Sequence, residues 1–179
     1  FPELAIEFHG HNDLGMATAN AISAMKAGAD CISATVNGLG ERAGNSALEE
    51  IIAYLRFKDG VTRFDTSGVS ALCRYVARVS DATIPMQKAI TGQNAFRHES
   101  GIHTSALLKN VRSYQILDPE DYGLNQAQIT IWKHSGKASE MAYLQAKGLH
   151  GAGRNSNNTP DRLNNNLQGR TDFPLISSK

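Results

Sequence analysis

The sequence predicts an α/β fold in which short strands alternate with helices along the chain. Residues 4–8 form a short, mostly apolar segment, as in a buried parallel strand. Residues 14–22 have the composition of a helix. The same order recurs further on, where residues 29–36 are rich in small and β-branched side chains and residues 46–55 form an amphipathic pattern. Strand, polar loop and helix thus occur twice in succession, which is typical of consecutive βα units.

The first predicted strand leads directly into His-Gly-His-Asn-Asp, residues 9–13. Because side chains alternate across an extended strand, we expect His9 and His11 on the same face, where both imidazoles can reach one divalent ion. In α/β folds the loops that follow the strands carry the chemistry. The spacing by itself leaves a second interpretation open, in which the two histidines form hydrogen bonds and bind no metal.

The second predicted strand leads into a polar loop with three glycines in seven positions. That density predicts a tight loop and a close approach of the backbone to a ligand. Glu41, Arg42 and Asn45 are the polar side chains placed in this loop. Ser46, followed three residues later by Glu49, predicts a capping box at the start of the second helix.

Three further helices and a disordered tail are predicted beyond these two units. Residues 66–79 predict a helix because apolar side chains recur there at helical spacing. These side chains are Val69, Leu72, Val76 and Val79. Shorter helices are predicted over residues 100–110 and 135–147. Residues 151–179 are rich in Gly, Asn and Ser, a composition that cannot bury much apolar area and therefore predicts disorder.

The composition indicates a soluble protein of a reducing compartment. The chain has 18 basic and 17 acidic residues, and this near balance predicts neither a nucleic-acid surface nor a membrane surface. Its two cysteines, Cys31 and Cys73, lie in apolar sequence surroundings, which predicts buried thiols and no disulfide framework. No apolar run is long enough to span a bilayer and no signal peptide is visible, so we expect a cytoplasmic location.

Four segments of the chain resemble the acyl-CoA Claisen-condensing enzymes, the isopropylmalate and homocitrate synthases. Residues 9–20 and 35–45 are similar to two signatures of the family's catalytic domain, which is a TIM barrel. Residues 98–114 and 133–137 are similar to two segments of its C-terminal subdomain. The resemblance covers roughly residues 3–148 and is specific, because long motifs occur in the family's order.

The resemblance implies an α/β fold made of the last two βα units of a TIM barrel, followed by a mostly helical C-terminal subdomain. It assigns residues 1–58 to the barrel, 59–97 to a helical linker, 98–150 to the subdomain and 151–179 to the disordered tail. A TIM barrel needs eight strands and about 250 residues, and the family's first-strand motif has no counterpart here. The chain also opens on Phe-Pro without an initiator Met, so we expect a fragment of a longer enzyme or one subunit of a split enzyme.

The resemblance also implies a divalent metal ion, Mg, Mn, Zn or Co, that is chelated by a 2-oxo acid. His9 and His11 would be two of its ligands, and Asn45 would offer a carbonyl oxygen at or near the ion. The third ligand expected in the family is an aspartate on the missing first strand. Mixed nitrogen and oxygen ligands suit all four ions. The alternative role for Asn45 is to cap the N-terminus of the second helix.

His103, Tyr114 and Glu41 are the catalytic residues that the resemblance implies. His103 would transfer a proton near neutral pH, and the Tyr114 hydroxyl would stabilise developing charge, both over the barrel mouth of a neighbouring subunit. Glu41 would orient the metal ligands together with Arg42, or the two would simply pair with each other. A local hydrogen bond on a helix surface is the alternative role for His103. The implied assembly is a homodimer with swapped C-terminal subdomains.

Residues 98–103 and 133–136 are more similar to the nitrogen-fixation homocitrate synthases than to other members of the family. The expected reaction condenses the co-substrate acetyl-CoA with 2-oxoglutarate to give homocitrate. A 2-isopropylmalate synthase acting on 2-oxoisovalerate is an alternative, as is a non-catalytic module that completes a separate barrel chain. Lys133 and His134 would contact acyl-CoA phosphates or belong to a solvated loop, and His98 would be structural.

Overall fold

The computed structural model describes residues 3–98, 115–125, 128–131 and 171–174 of the 179-residue chain. The contacts between Cα atoms divide the chain into two compact units. The first unit contains Phe1–Ala95 and Asp121–Gly123, and the second contains Phe96–Glu120 and Leu124–Lys179. The domain boundaries inferred from the sequence stay predictions.

The first unit begins with a parallel βαβ arrangement. Strand β1 (Glu7–His9) is followed by helix α1 (Ala17–Lys26) and then by strand β2 (Cys31–Ser33), which runs parallel to β1. A parallel pair requires a crossover connection, and α1 supplies it. The predicted α/β class and the predicted order of strand and helix are confirmed, although each strand covers only three residues.

Helix α1 begins at Ala17, later than the sequence pattern indicates, because a turn precedes it. The N–H of Gly15 donates to the carbonyl of Asn12 at 2.9 Å, and Gly15 has a φ of +73°, which glycine adopts without strain. The side-chain oxygen Oδ1 of Asn12 then accepts the N–H of Ala17 at 3.1 Å. Asn12 therefore satisfies one of the N–H groups that a helix start leaves without an internal partner.

Helix α2 (Leu48–Asp59) follows the second polar loop, and the predicted capping box at its start is wrong. Its N-cap residue, Ala47, makes no side-chain capping bond. Ser46 Oγ donates instead to a carbonyl of α1 at 3.0 Å, and the Glu49 carboxylate accepts the N–H of Asn37 at 2.9 Å. Both side chains are buried, so they bind groups outside the helix and are not free to cap it.

Helix α3 (Val69–Val79) confirms the helix predicted there, but Val69 is the one residue of the predicted apolar stripe that is buried. Leu72 and Val79, which belong to the predicted apolar stripe, are 43% and 61% exposed. The buried face carries mostly small side chains and packs on the 3₁₀ turn Val36–Gly38. The residues buried on it are Val69, Ser70, Cys73 and Ala77. Periodicity predicted the helix but not its orientation, because two stripes of this helix have helical spacing.

The two cysteines differ in exposure. Cys73 is buried, as predicted, whereas Cys31 on β2 is exposed, so the prediction of a buried thiol is wrong for Cys31. The sheet in the described part of this unit has only two strands, and such a sheet leaves much of its surface open. Leu4 and Ile6, next to β1, are exposed for the same reason. Both thiols are free, in agreement with the absence of a predicted disulfide.

The described part of the second unit is a three-stranded sheet in the order β3, β4, β5. Strand β3 (Arg97–His98) runs parallel to β4 (Gln128–Ile131), which pairs antiparallel with β5 (Thr171–Pro174). Because β5 lies in the predicted tail, disorder is a wrong prediction for these four residues. The prediction used the composition of the whole tail and so overlooked a short segment that contains Thr and Phe, which favour strands. The helices predicted over residues 100–110 and 135–147 lie outside the described residues.

The described elements also include two 3₁₀ turns, Val36–Gly38 after β2 and Pro119–Tyr122. Within the first unit, Arg56 Nη2 on α2 donates to the carboxylate of Asp121 at 2.8 Å. Among the described ranges, no helix has both the length and the apolar composition needed to cross a bilayer.

Candidate metal centre

The two histidines of the first motif lie side by side at the end of β1. The ring centroids of His9 and His11 are 5.0 Å apart, with the ring planes at 83°. His9 Nδ1 is 3.1 Å from the Oγ of Ser33, the residue opposite it on β2. This contact engages Nδ1 and leaves Nε2 of His9 for another ligand, the arrangement by which metal-binding histidines are commonly held.

Asn45 pairs with His11 through an isolated antiparallel bridge. His11 Nδ1 and Asn45 Oδ1 are both buried, and neither has a hydrogen-bond partner. Buried polar atoms are normally paired, so these two atoms on bridged residues are available to bind a metal ion or a polar ligand. Asn45 does not cap α2, because Ala47 is the N-cap residue and the side-chain oxygen of Asn45 is unpaired.

Backbone hydrogen bonds fasten the second loop to the histidine motif. The N–H of Asn12 donates to the carbonyl of Gly44 at 2.8 Å, and the N–H of Asn45 donates to the carbonyl of Gly38 at 2.9 Å. Gly40 packs so closely that a Cβ there would lie 2.5 Å from Nδ2 of Asn45. The glycine-rich sequence of the loop therefore reflects close contacts within the loop itself, around the Asn45 side chain.

An ion pair joins the two loops at the surface. The Arg42 guanidinium binds the Asp13 carboxylate through Nε at 2.8 Å and Nη2 at 3.0 Å, whereas Glu41 is 3.9 Å from Arg42. The hydrogen bond from Arg42 lowers the pKa of Asp13, and the same bond raises the pKa of Arg42. Glu41 has a side chain that is 80% exposed. Arg42 thus pairs mainly with Asp13, a contact that the sequence analysis missed because no local signal indicates how the two loops meet.

Thr35 is a second polar residue that sequence analysis missed. Its backbone pairs with Ala47, and its Oγ1 is buried without a hydrogen-bond partner. A hydroxyl in that state can donate to a substrate oxygen. Its position just after β2 is the signal that could have identified it, because that is where α/β folds place functional groups.

The ligand set within the described residues is incomplete. No group of three or more His, Cys, Asp or Glu side chains that could hold a metal occurs in the described ranges. Two histidine nitrogens and one amide oxygen fit a divalent ion, but a stable site needs at least one further ligand. His103, Tyr114, Lys133 and His134 lie outside the described residues. His98 Nε2 is 3.0 Å from Gln115 Oε1, which agrees with a structural role.

Residues 1–76 match the protein family described as HMGL-like. Residues 90–167 match the family described as "Homocitrate synthase post-HMGL domain-like". The parallel βαβ unit with paired histidines after its first strand thus belongs to the HMGL-like class of TIM-barrel proteins.

Curated relatives of two kinds are similar to the chain. Homocitrate synthase AksA of Methanopyrus kandleri is 46% identical over 148 residues, which are 82% of this chain and 37% of the relative. 2-Isopropylmalate synthase 2 of Caldanaerobacter subterraneus is 50% identical over 138 residues, 76% of this chain and 36% of the relative. 2-Isopropylmalate synthase of Pyrococcus furiosus is 42% identical over 149 residues, 81% of this chain and 30% of the relative.

Two adjoining family matches together cover most of the chain, and over most of its length the chain is similar to both homocitrate synthases and 2-isopropylmalate synthases. It spans about a third of the length of these curated relatives.

Proposed function

We propose that this chain provides the metal-binding end of an acyltransferase that condenses acetyl-CoA with 2-oxoglutarate to homocitrate. It would form the last two βα units of a TIM barrel and the C-terminal subdomain that follows. The observation that carries the proposal is the pair of buried, unpartnered atoms on bridged residues, His11 Nδ1 and Asn45 Oδ1, beside the ring of His9. These three residues would hold a divalent ion.

When bound, a divalent ion polarises the ketone carbonyl of a 2-oxo acid and orients it. The chain's own residues would fix that geometry. The Ser33 hydroxyl contacts Nδ1 of His9 and so orients its ring. The backbone bridge between His11 and Asn45 holds the two loops at a fixed separation. The unpartnered Oγ1 of Thr35 is a hydrogen-bond donor for an oxygen of the 2-oxo acid.

The reaction removes a proton from the methyl group of acetyl-CoA, joins that carbon to the ketone carbon and releases CoA by hydrolysis of the thioester. His103 would move the proton, because an imidazole titrates near neutral pH. The hydroxyl of Tyr114 would donate to the oxygen on which negative charge develops. Glu41 would orient the metal ligands from the loop that carries Asn45. All three assignments rest on the resemblance of the motifs.

Overall similarity does not distinguish the two possible 2-oxo acids, since relatives named for both products have similar identities to the chain. We favour 2-oxoglutarate, and a role in nitrogen fixation, on the form of the motifs at residues 98–103 and 133–136. 2-Oxoisovalerate is the alternative acceptor. A cytoplasmic homodimer with exchanged C-terminal subdomains is part of the same proposal.

The test is an assay of the complete gene product with acetyl-CoA, each 2-oxo acid in turn, and Mg²⁺, Mn²⁺, Zn²⁺ or Co²⁺. Release of CoA is followed with a thiol reagent, and the product is identified by mass. We expect metal-dependent CoA release with 2-oxoglutarate, abolished by His9→Ala with His11→Ala. Faster release with 2-oxoisovalerate would instead identify an isopropylmalate synthase.

A non-catalytic module is the rival from another class, and the incomplete ligand set of the described residues favours it. Such a module would turn over no substrate by itself and would acquire activity only when a separate barrel chain is added. The same assay, with and without that chain, distinguishes the two. Activity of the complete gene product alone excludes the module.

A further inference from the structure

A buried ionic cluster joins α2 to the segment that follows α3. Lys88 Nζ lies 3.0 Å from Glu49 Oε1 and 2.8 Å from Glu50 Oε1. The side chains of Lys88 and Glu49 are only 12% and 1% exposed. Burial by itself lowers the pKa of Lys88, but the hydrogen bond to Glu50 and the adjacent carboxylate of Glu49 outweigh it and raise that pKa, so Lys88 is a cation. Charges removed from water need such partners, and loss of one leaves the other uncompensated.

The second oxygen of Glu49 holds the loop after β2. Glu49 Oε2 accepts the N–H of Asn37 at 2.9 Å. Asn37 has a φ of +62°, an uncommon backbone conformation for a residue other than glycine. Its side-chain Nδ2 donates to the carbonyl of Cys73 on α3 at 2.8 Å. Asn37 is therefore held in its unusual conformation by contacts from both α2 and α3.

The position of Asn37 bears directly on Asn45. The residue after Asn37 is Gly38, whose carbonyl accepts the N–H of Asn45 at 2.9 Å. A shift at Asn37 would thus displace the residue that carries the unpartnered Oδ1. The contacts run without interruption from Lys88 through Glu49 and the backbone of Asn37 and Gly38 to Asn45.

The backbone around Lys88 forms a compact turn. The N–H of Lys88 donates to the carbonyl of Pro85, and its carbonyl accepts the N–H of Gly92, both at 3.0 Å. A Cβ on Gly92 would lie 2.5 Å from the backbone nitrogen of Lys88 and 2.5 Å from its carbonyl oxygen, so the turn is tightly closed. Ile90, inside the turn, is buried. Lys88 is thus anchored in residues 85–92, the segment that leads out of the first unit.

We propose that Lys88 and Glu49 are positioning residues that hold residues 37–45 in the conformation that presents Asn45 to a divalent ion. Residues 85–92 thereby set the affinity of a metal site to which they contribute no ligand. The inference rests on the proposed function, because it takes Asn45 as a ligand. An ion pair that only stabilises the fold would leave the metal affinity of the folded protein unchanged.

Mn²⁺ titration of the complete gene product, with free Mn²⁺ measured by electron paramagnetic resonance, tests the proposal. Lys88→Met keeps most of the side-chain length and removes the charge, and we expect it to weaken Mn²⁺ binding about tenfold or more, the scale for residues that orient ligands. Lys88→Arg keeps the charge and should recover most of the affinity. The matched control is Lys26→Met, which removes an exposed ion pair to Asp59 and should leave Mn²⁺ binding unchanged.

Hydrogen exchange provides a readout without metal. In Lys88→Met we expect faster amide exchange over residues 36–45 and unchanged exchange in α1. Should Lys88→Met fail to fold, Glu49→Gln replaces it, since a neutral amide binds both Lys88 and the Asn37 N–H more weakly. Glu49→Gln should likewise weaken Mn²⁺ binding and speed amide exchange over residues 36–45. Unchanged Mn²⁺ affinity and exchange in folded variants of a protein that binds Mn²⁺ would overturn the positioning role alone. A wild-type protein that binds no Mn²⁺ would overturn the metal site as well.

Discussion

His9 and Ser33 face each other across the parallel β1–β2 pair, with Nδ1 of the imidazole 3.1 Å from the serine Oγ. The strand register itself sets this contact, because His9 and Ser33 are directly paired residues. A hydrogen bond on one ring nitrogen orients the ring and selects the nitrogen that can bind a metal. The βα architecture therefore orients the imidazole of His9, which is a proposed metal ligand.

Ser33→Ala should weaken divalent-metal binding because it frees the His9 ring to rotate and to change tautomer. The expected loss is about tenfold, the lower end for residues that orient metal-binding histidines. Calorimetric titration of Mn²⁺ measures it. Ser23→Ala is the matched control, since Ser23 Oγ donates only to a carbonyl within α1. Equal affinity in the two variants would show that Ser33 does not hold the ligand.

Asn45→Asp should tighten metal binding, and Asn45→Leu should weaken it. Aspartate has nearly the shape of asparagine but places a charged oxygen where the unpartnered Oδ1 now lies, and a carboxylate attracts a divalent ion more strongly than an amide does. The same Mn²⁺ titration compares the three proteins. If Asn45→Asp and Asn45→Leu bind Mn²⁺ alike, the side chain of Asn45 is not a ligand and fills a structural position only.

Gly44→Ala should destabilise the protein more than Gly28→Ala does. Both glycines have positive φ, +91° for Gly44 and +102° for Gly28, so an alanine is strained at either position. A Cβ at Gly44 would also collide with the carbonyl of Gly38, whereas nothing lies within 4 Å of one at Gly28. We expect the free energy of unfolding to fall by at least about 1 kcal/mol more for Gly44→Ala. Urea denaturation checks this, and equal losses would mean that the loop relaxes around the added methyl.

The two cysteines should react with a disulfide reagent at very different rates. Burial raises the pKa of the Cys73 thiol to about 11, with a further contribution from the charge of Glu49. At pH 8 only about one Cys73 thiol in a thousand is then the reactive thiolate. Cys31 is exposed and should react first. Spectrophotometric titration should count one fast-reacting thiol in the native 179-residue chain. After unfolding in urea, both of its thiols should react. Persistence of the fast phase in Cys31→Ser would contradict the assignment.

The sequence predicts what depends on local pattern and on spacing along the chain. Helix α3, the parallel βαβ unit and the proximity of His9 to His11 follow from periodicity and from alternation along a strand. The pairing of Arg42 with Asp13 and the burial of Glu49 could not be derived in this way. Both depend on how two distant segments meet, and no local signal reports which of several possible partners a charged side chain will find.

The capping-box error has the same origin. Ser46 and Glu49 have the spacing of a capping box, but tertiary contacts with α1 and with Asn37 compete for the same hydrogen-bonding atoms and win. In α3 the sequence contained two stripes at helical spacing, and the smaller side chains were buried because they allow closer packing on the Val36–Gly38 turn.

The proposed exchange of subdomains predicts complementation between two inactive variants of the complete gene product. His11→Ala removes a proposed metal ligand, and His103→Ala removes the proposed proton-transfer group. If residues 86–148 of one subunit cover the barrel mouth of the other, a mixed dimer contains one site with both defects and one site with neither. Each variant alone should be inactive, and a mixture allowed to exchange subunits should regain activity.

Random exchange places half of the molecules in mixed dimers, each with one intact site, so about a quarter of the wild-type activity per subunit is expected at equal concentrations. Native mass spectrometry of one isotopically labelled variant establishes that exchange has occurred. A doubly substituted protein mixed with wild type is the control, because exchange there creates mixed dimers in which each site carries one of the two defects. Its activity should therefore fall as subunits exchange. If exchange occurs and the first mixture stays inactive, both motifs act within one subunit and the exchanged arrangement is wrong.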